Sequence, residues 1–222
     1  VGPMMTFFSV EKQVIQGIGE EIVKRLKERG YSPGHVYDST HYISYVTPFS
    51  AEGLKIVLDE MAIDSNVTLL YHTYIIGINK NGNTIKSIDI VNKDGISTIN
   101  AKIFIDATGD GDLAVEAGIP FTLGRESDNA TQPLTMNMKV YGVDTSKLKK
   151  TVLQNPKKFP RLNRDIEVMK KVEALSFVGF EEEFKRAKEL GEITIPREDV
   201  LFFETSTPGE YIINPTRIIN EN

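Results

Sequence analysis

The stretch that decides the fold is Ile103-Phe104-Ile105-Asp106-Ala107-Thr108-Gly109-Asp110-Gly111-Asp112. Its first three residues are apolar and favour extended backbone, which is typical of a short buried strand. The glycines at 109 and 111 permit a sharp bend and a close approach of the backbone to a ligand. We call residues 108–112 the Gly-rich turn. The stretch predicts a buried strand, this turn, and then a short helix over 112–117 that ends at Gly118.

The residues before this stretch predict further strands. Val67–Tyr71 is a nearly continuous apolar run, as expected for a buried parallel strand. Three strand-like segments follow near 73–79, 84–92 and 96–101, and short turns that contain Asn-Gly or Asp-Gly separate them. The predicted order is therefore buried strand, three-stranded meander, buried strand, Gly-rich turn and helix.

The outer parts of the chain predict helices and one hairpin. Apolar spacing favours a helix over 11–29 that ends at Gly30, and Ser50 is a good cap for a second helix. Segments 201–204 and 211–213 are typical of a terminal hairpin. We therefore expect a mixed α/β fold, with one domain over 50–118 and a second formed by 1–49 together with 119–222.

Composition excludes several functional classes. The 222-residue chain has no cysteine, which excludes disulfides, thiolate metal sites and a cysteine nucleophile, and its three histidines are too scattered for a metal site. A net charge of −5 argues against nucleic-acid binding. No apolar run approaches the roughly 20 residues of a membrane span, and no secretory signal begins the sequence. We expect a cytoplasmic protein that binds neither nucleic acid nor membrane.

The Gly-rich turn has two interpretations. The amides of Gly109 and Gly111 can face an anion, and the carboxylates of Asp110 and Asp112 can accept hydrogen bonds from ribose or ribityl hydroxyls. This mixture suits a dinucleotide better than a free phosphate. The alternative is a plain β–α turn, in which the glycines only permit the bend and Asp112 caps the helix.

Other candidate residues also have two interpretations. His35, in a Pro-Gly loop, is either a proton donor or a loop histidine that makes one structural hydrogen bond. Arg197 and Arg217 either bind a carboxylate substrate or form surface salt bridges. His41 is expected on a strand edge or in a loop, and His72 in a turn.

Residues 103–114, followed by Ala117-Gly118-Ile119-Pro120-Phe121, resemble the FAD-dependent oxidoreductases of the glutathione-reductase-like flavoprotein superfamily. The resemblance extends over nearly the whole chain. Similar segments also lie at 2–8, 32–36, 46–49, 58–61, 132–136, 195–197 and 208–211.

This resemblance implies a two-domain enzyme that binds FAD and a small-molecule substrate. Residues 50–118 would be a partial Rossmann-like FAD-binding domain with a β-meander crossover. The segments 1–49 and 119–222 would form a mixed-sheet substrate or cap domain. His35 and Arg217 are then the candidate catalytic residues.

The resemblance also implies which residues contact the cofactor. Thr108 and Gly109 would lie against the FAD pyrophosphate or ribose, and Gly111 is a further cofactor-binding candidate. Asp110 or Asp112 would be the acid near the ribityl chain, and both remain candidates. The strand at Ile75 and Ile76 would contact the adenine through its backbone.

The sequence departs from the family at one point, because no strand followed by Gly-x-Gly-x-x-Gly and a helix is present. We therefore expect a central fragment of an FAD-dependent oxidoreductase that acts on a small organic substrate by hydride transfer. The alternative is a truncated, catalytically inactive domain that folds or self-associates, as a homo-oligomer, without binding FAD.

Overall fold

The computed structural model describes residues 2–40, 42–162 and 165–219, so His41 lies outside the described residues. The chain divides into two compact units. Unit 1 comprises Val1–Ser65 and Gln132–Asn222, and unit 2 comprises Asn66–Thr131. Helices and antiparallel strands occur together, which confirms the predicted mixed α/β class. The division at 50–118 stays a prediction.

The elements follow one another in this order. The first part of unit 1 contains β1 (Phe8–Ser9), β2 (Lys12–Gln13), α1 (Ile18–Glu28), β3 (Val36–Tyr37), β4 (Tyr45–Val46) and α2 (Ala51–Asp64). Unit 2 contains β5 (Tyr74–Asn81), β6 (Thr84–Asn92), β7 (Gly95–Asn100) and α3 (Asp112–Glu116). The second part of unit 1 contains β8 (Met138–Val140), α4 (Thr145–Gln154), α5 (Ile166–Lys171), β9 (Ser176–Gly179), α6 (Glu181–Glu189), β10 (Val200–Glu204) and β11 (Tyr211–Asn214).

The largest sheet of unit 1 is antiparallel, with strand order β8-β11-β10-β9. The predicted terminal hairpin is confirmed, because β10 and β11 pair with Glu204 opposite Tyr211. Its turn contains Gly209 at φ 74°, a conformation that glycine adopts without strain. Residues of this sheet share one buried core with residues of α4 and α5. The buried core there consists of Val152, Phe159, Leu162, Met169, Val172, Leu175, Phe177 and Tyr211.

Helices α1 and α2 enclose a smaller core of unit 1 around Leu26, Phe49 and Val57. Ser50 caps α2 as predicted, since its Oγ accepts a hydrogen bond from the Gly53 amide at 3.2 Å. The end of α1 at Gly30 is confirmed too, with φ 72°. The predicted start of α1 at residue 11 is wrong, because residues 12–13 pair with β1 and Gly17 adopts φ 66° directly before the helix.

Unit 2 is built on the predicted meander, in which β6 pairs with both β5 and β7. The predicted buried strands at Val67–Tyr71 and Ile103–Ile105 are wrong, because neither segment is a strand. Within the described ranges no strand pairs with them, and a parallel strand is buried only when neighbours cover its edges and faces. Their side chains are therefore exposed, Ile103 by 78% and Ile105 by 82%.

None of the helices in the described ranges has both the length and the apolar character needed to cross a lipid bilayer.

Candidate functional site

The carboxylate of Asp106 organises the Gly-rich turn. Its Oδ1 accepts hydrogen bonds from the backbone amide of Thr108 at 3.0 Å and from Thr108 Oγ1 at 2.7 Å. Its Oδ2 accepts from the amide of Ala114 at 2.9 Å. Thr108 Oγ1 in turn accepts from the amide of Asp112 at 2.8 Å. These four bonds close the turn over the beginning of α3.

The same bonds make Asp106 a stable anion. The hydrogen bond from the Thr108 side chain, followed by those from the Ala114 and Thr108 amides, holds the pKa of Asp106 below its usual value. Asp106 was not among the residues expected from the sequence to bind a ligand or to shape the turn. The available signal was an acidic residue two positions before a threonine, directly after an apolar run, since aspartate in this spacing closes a turn on its own backbone.

The capping role predicted for Asp112 in the plain-turn alternative is wrong. Gly111 occupies the position before α3, at φ 73°, and no side chain caps the helix there. Asp112 lies in the first helical turn, and the bonds of Asp106 and Thr108 to helix amides take the place of a cap.

The turn presents open backbone donors. In the described part of the chain, no group accepts a hydrogen bond from the amides of Gly109, Asp110 or Gly111. A Cβ placed on Gly109 would meet no atom within 4 Å, so the space beside it is free. Asp110 and Asp112 are both exposed at the same turn. The residues present thus combine amide donors with carboxylate acceptors.

The strand predicted to contact adenine belongs to the same unit as the turn. Ile75 pairs with Ile90 of β6, whereas the register shifts between Ile75 and Gly77, which leaves Ile76 at a bulge with 47% of its surface exposed. Helix α3 packs against β5. Lys80 Nζ on β5 also donates a hydrogen bond to the Ala117 carbonyl at the end of α3.

His35 lies in unit 1 and is engaged through both ring nitrogens. Its Nδ1 is 2.7 Å from Thr47 Oγ1, and its Nε2 is 3.0 Å from Glu20 Oε2. The rings of Phe7 and Phe8 pack on the imidazole, with centroids at 4.8 and 5.1 Å. The structure therefore gives this histidine two structural partners, where the alternative interpretation expected one.

Glu20 is ionised more readily than an ordinary glutamate. Partial burial opposes the charge, but the hydrogen bonds from His35 and Gln13 outweigh it and lower the pKa of Glu20. His72 lies in a turn, as expected, with φ 51°.

An open cavity of about 700 Å³ in unit 1 brings the two candidate arginines together. Its charged lining residues are Arg161, Lys188, Arg197, Glu198, Asp199 and Arg217. Among the described residues, His35 is not part of this lining. We call this space the arginine cavity.

Arg197 is the fixed member of the arginine cavity. Its Nε lies 3.8 Å from Asp199 Oδ1, so the expected salt bridge is present, but the Arg197 side chain is only 9% exposed and the pair is therefore not a surface one. Nε donates to the Asp199 carbonyl at 2.8 Å, and one terminal nitrogen donates to Asn214 Oδ1 at 2.9 Å and to the Thr216 carbonyl at 3.1 Å. These bonds hold the guanidinium in place at the cavity wall.

The arginine cavity concentrates positive charge. Burial lowers the pKa of Arg197, Asp199 opposes this, and the nearby cations Arg217 and Arg161 lower it further. Arg161 is 3.4 Å from the Asp199 carboxylate and lies over the Tyr42 ring at 5.9 Å. Two arginines that the sequence singled out, at 197 and 217, thus share the cavity with two further cations, Arg161 and Lys188, that it did not.

Comparison with known proteins gives one match. A family model described as FAD dependent oxidoreductase matches residues 1–221. No curated protein and no solved structure matches the chain. The match covers nearly the whole chain, including the Gly-rich turn, the meander and the arginine cavity. The chain therefore belongs to the FAD dependent oxidoreductase family.

Proposed function

We propose that the Gly-rich turn of unit 2 contacts FAD, and that the chain takes part in the oxidation or reduction of a small organic substrate by hydride transfer. Family membership supports the cofactor. The observation that carries the proposal is the row of amides at Gly109, Asp110 and Gly111, which meet no internal acceptor among the described residues. An FAD pyrophosphate or ribose supplies the oxygen acceptors that such amides need.

Each residue of the turn has a distinct part in this proposal. The amides of Gly109 and Gly111 donate to the cofactor, and Thr108 lies beside them. Asp110 or Asp112 accepts hydrogen bonds from ribityl or ribose hydroxyls. FAD, when bound, supplies the redox chemistry, so the chain itself needs only to bind and orient the reactants.

Asp106 is the positioning residue of the turn. Its three hydrogen bonds hold Thr108 and the start of α3 in one geometry. A neutral amide at this position would keep the size of the side chain, but its NH2 group cannot accept, so the hydrogen bonds made by one of the two oxygens would be lost and the others weakened. The peptide at the Ile76 bulge and its neighbour Ile75 are the proposed contacts to the adenine.

The assignment of His35 as a proton donor stays a prediction. Both ring nitrogens already have partners, Thr47 and Glu20. A proton transfer from His35 would therefore require one of these two hydrogen bonds to break. Arg217 stays a predicted substrate contact.

The test of this proposal is FAD binding by the purified chain. Binding is measured by flavin fluorescence and by the flavin absorbance that the chain retains after gel filtration. We expect saturable binding that Asp106→Asn weakens. Asp94→Asn is the matched control, because Asp94 is exposed in the turn between β6 and β7 of the same unit. A chain that is folded by circular dichroism but retains no flavin would overturn the proposal.

A second candidate function has its own observation. Unit 2 exposes several large apolar side chains, including Val67, Leu70, Ile103 and Ile105, each by more than half of its surface. Exposed apolar groups of this extent favour association. This candidate is a domain that self-associates without binding FAD.

Sedimentation velocity separates the two candidates. Self-association predicts a concentration-dependent oligomer without flavin, which the double variant Ile103→Asn, Ile105→Asn converts to monomer. A monomer at all concentrations would exclude this second candidate.

A further inference from the structure

We propose that the arginine cavity of unit 1 binds a small organic dianion with two carboxylates. We further infer that this dianion represents the substrate class, an inference that rests on the proposed function. Binding of the dianion to the arginine cavity does not depend on the proposed function.

The charge of the cavity opposes that of the whole protein. Four cationic side chains and two carboxylates line it, which leaves an excess of two positive charges. The complete chain has a net charge of −5. A ligand with two negative charges neutralises this local excess, whereas a neutral or cationic ligand does not.

One guanidinium of the cavity is preorganised. Arg197 is held by the Asp199 carbonyl, Asn214 and the Thr216 carbonyl, so it loses little conformational freedom when an anion binds. Arg161 and Arg217 are more exposed and can move onto the ligand. Guanidinium groups bind carboxylates through paired hydrogen bonds, which gives both strength and orientation.

The shape of the cavity favours an organic anion over an inorganic one. A space of about 700 Å³ is far larger than a single oxyanion requires. Its uncharged wall includes Pro196, Leu201 and the ring of Tyr42, which is 63% exposed. These groups can cover a carbon skeleton while the arginines hold its two ends.

The experiment is calorimetric titration of the complete chain with succinate in the absence of FAD. We expect binding that weakens as sodium chloride is added, because screening reduces the attraction between charges. The double variant Arg161→Gln, Arg217→Gln should bind succinate at least about tenfold more weakly, which corresponds to about 1.4 kcal/mol. Arg197 is left unchanged because its bonds are part of the fold.

Arg186→Gln is the matched control, since Arg186 is an exposed residue of α6 that does not line the cavity. It should bind succinate as the wild type does, and circular dichroism checks that each variant is folded. Equal succinate affinity in the wild type and the double variant, or no succinate binding by the wild type, would overturn the proposal. Sulfate that binds as tightly as succinate would also overturn it, because the cavity would then hold any anion.

Failure of this proposal is distinguishable from failure of the proposed function. A chain that binds succinate through these arginines but retains no FAD keeps the anion site and overturns the flavin proposal. A chain that binds FAD but no succinate does the reverse.

Discussion

Replacing Glu204 by glutamine tests how unit 1 holds together the sheet that carries the arginine cavity. Glu204 ends β10 and is 7% exposed. Its Oε1 accepts a hydrogen bond from Thr145 Oγ1 at 2.7 Å, at the beginning of α4. Its Oε2 accepts from the amide of Leu175 at 2.8 Å, directly before β9. One carboxylate therefore joins three elements.

The expected loss follows from these two bonds. Glutamine offers one carbonyl oxygen and one amide group, so only one of the two donors keeps its acceptor unless the Thr145 hydroxyl turns round and accepts instead. The Leu175 amide has no such freedom and must keep the oxygen. Hydrogen bonds to a charged group contribute about 1.5–3 kcal/mol and neutral ones about 1 kcal/mol. We expect Glu204→Gln to lower the free energy of unfolding by about 1–2 kcal/mol.

Urea unfolding, monitored by circular dichroism, measures this loss. An unchanged m value would show that the variant exposes the same amount of surface on unfolding as the wild type. Glu182→Gln is the control, since Glu182 is exposed in the first turn of α6 and its replacement should change stability by less than about 0.5 kcal/mol. If Glu204→Gln is as stable as this control, the carboxylate does not hold the three elements together and the reasoning is refuted.

Three further predictions concern stability. The hydrogen bond from His35 helps to lower the pKa of Glu20 below 4.5. Ionised Glu20 therefore stabilises the fold above that pH, and this stabilisation is lost as the pH falls. Glu20→Gln should flatten the acid side of the plot of stability against pH. Tyr211→Phe should preserve or raise stability, because the buried hydroxyl lies near Thr145 and Glu204, which bond each other, and itself makes no hydrogen bond among the described residues. Gly53→Ala should cost about 1–3 kcal/mol, since its Cβ would lie 2.3 Å from Tyr31 Cγ.

The same unfolding assay tests all three predictions. Glu28→Gln, at an exposed position of α1, should leave the acid dependence unchanged, and an equal profile for Glu20→Gln would contradict the first prediction. A loss of more than about 1 kcal/mol in Tyr211→Phe would mean that the hydroxyl is hydrogen-bonded. Gly19→Ala, also in a helix, meets the Cγ2 methyl group of Ile15 at 3.2 Å, a longer contact than that of Gly53→Ala, and should be better tolerated.

Local patterns accounted for much of the fold. The meander over 74–100 follows from alternating apolar residues and from the turns at Gly82 and Gly95, both of which have positive φ. Ser50 begins its helix because its side chain accepts a hydrogen bond from the first turn. Gly30 ends its helix because a residue without a side chain adopts a positive φ without strain. Such features depend on neighbours within a few residues, so they can be inferred without knowing the rest of the fold.

Features that depend on distant partners were not predictable in this way. The apolar run Ile103–Ile105 satisfies every local criterion for a buried strand, yet it has no pairing strand among the described residues and is exposed. In the Gly-rich turn the glycines were evident from the sequence, but the hydrogen bond from the Ala114 amide to Asp106 spans eight residues and is evident only in the folded turn.

The sequence by itself determined the composition, the local turns and caps, and the residue types that make an FAD dependent oxidoreductase recognisable. Only the tertiary structure decided which charged groups meet. Arg161 lies 36 positions before Arg197 in the chain, and Arg217 lies 20 positions after it, yet all three line one cavity. Electrostatic interaction depends on distance in space and on burial, which the order of residues along the chain does not specify.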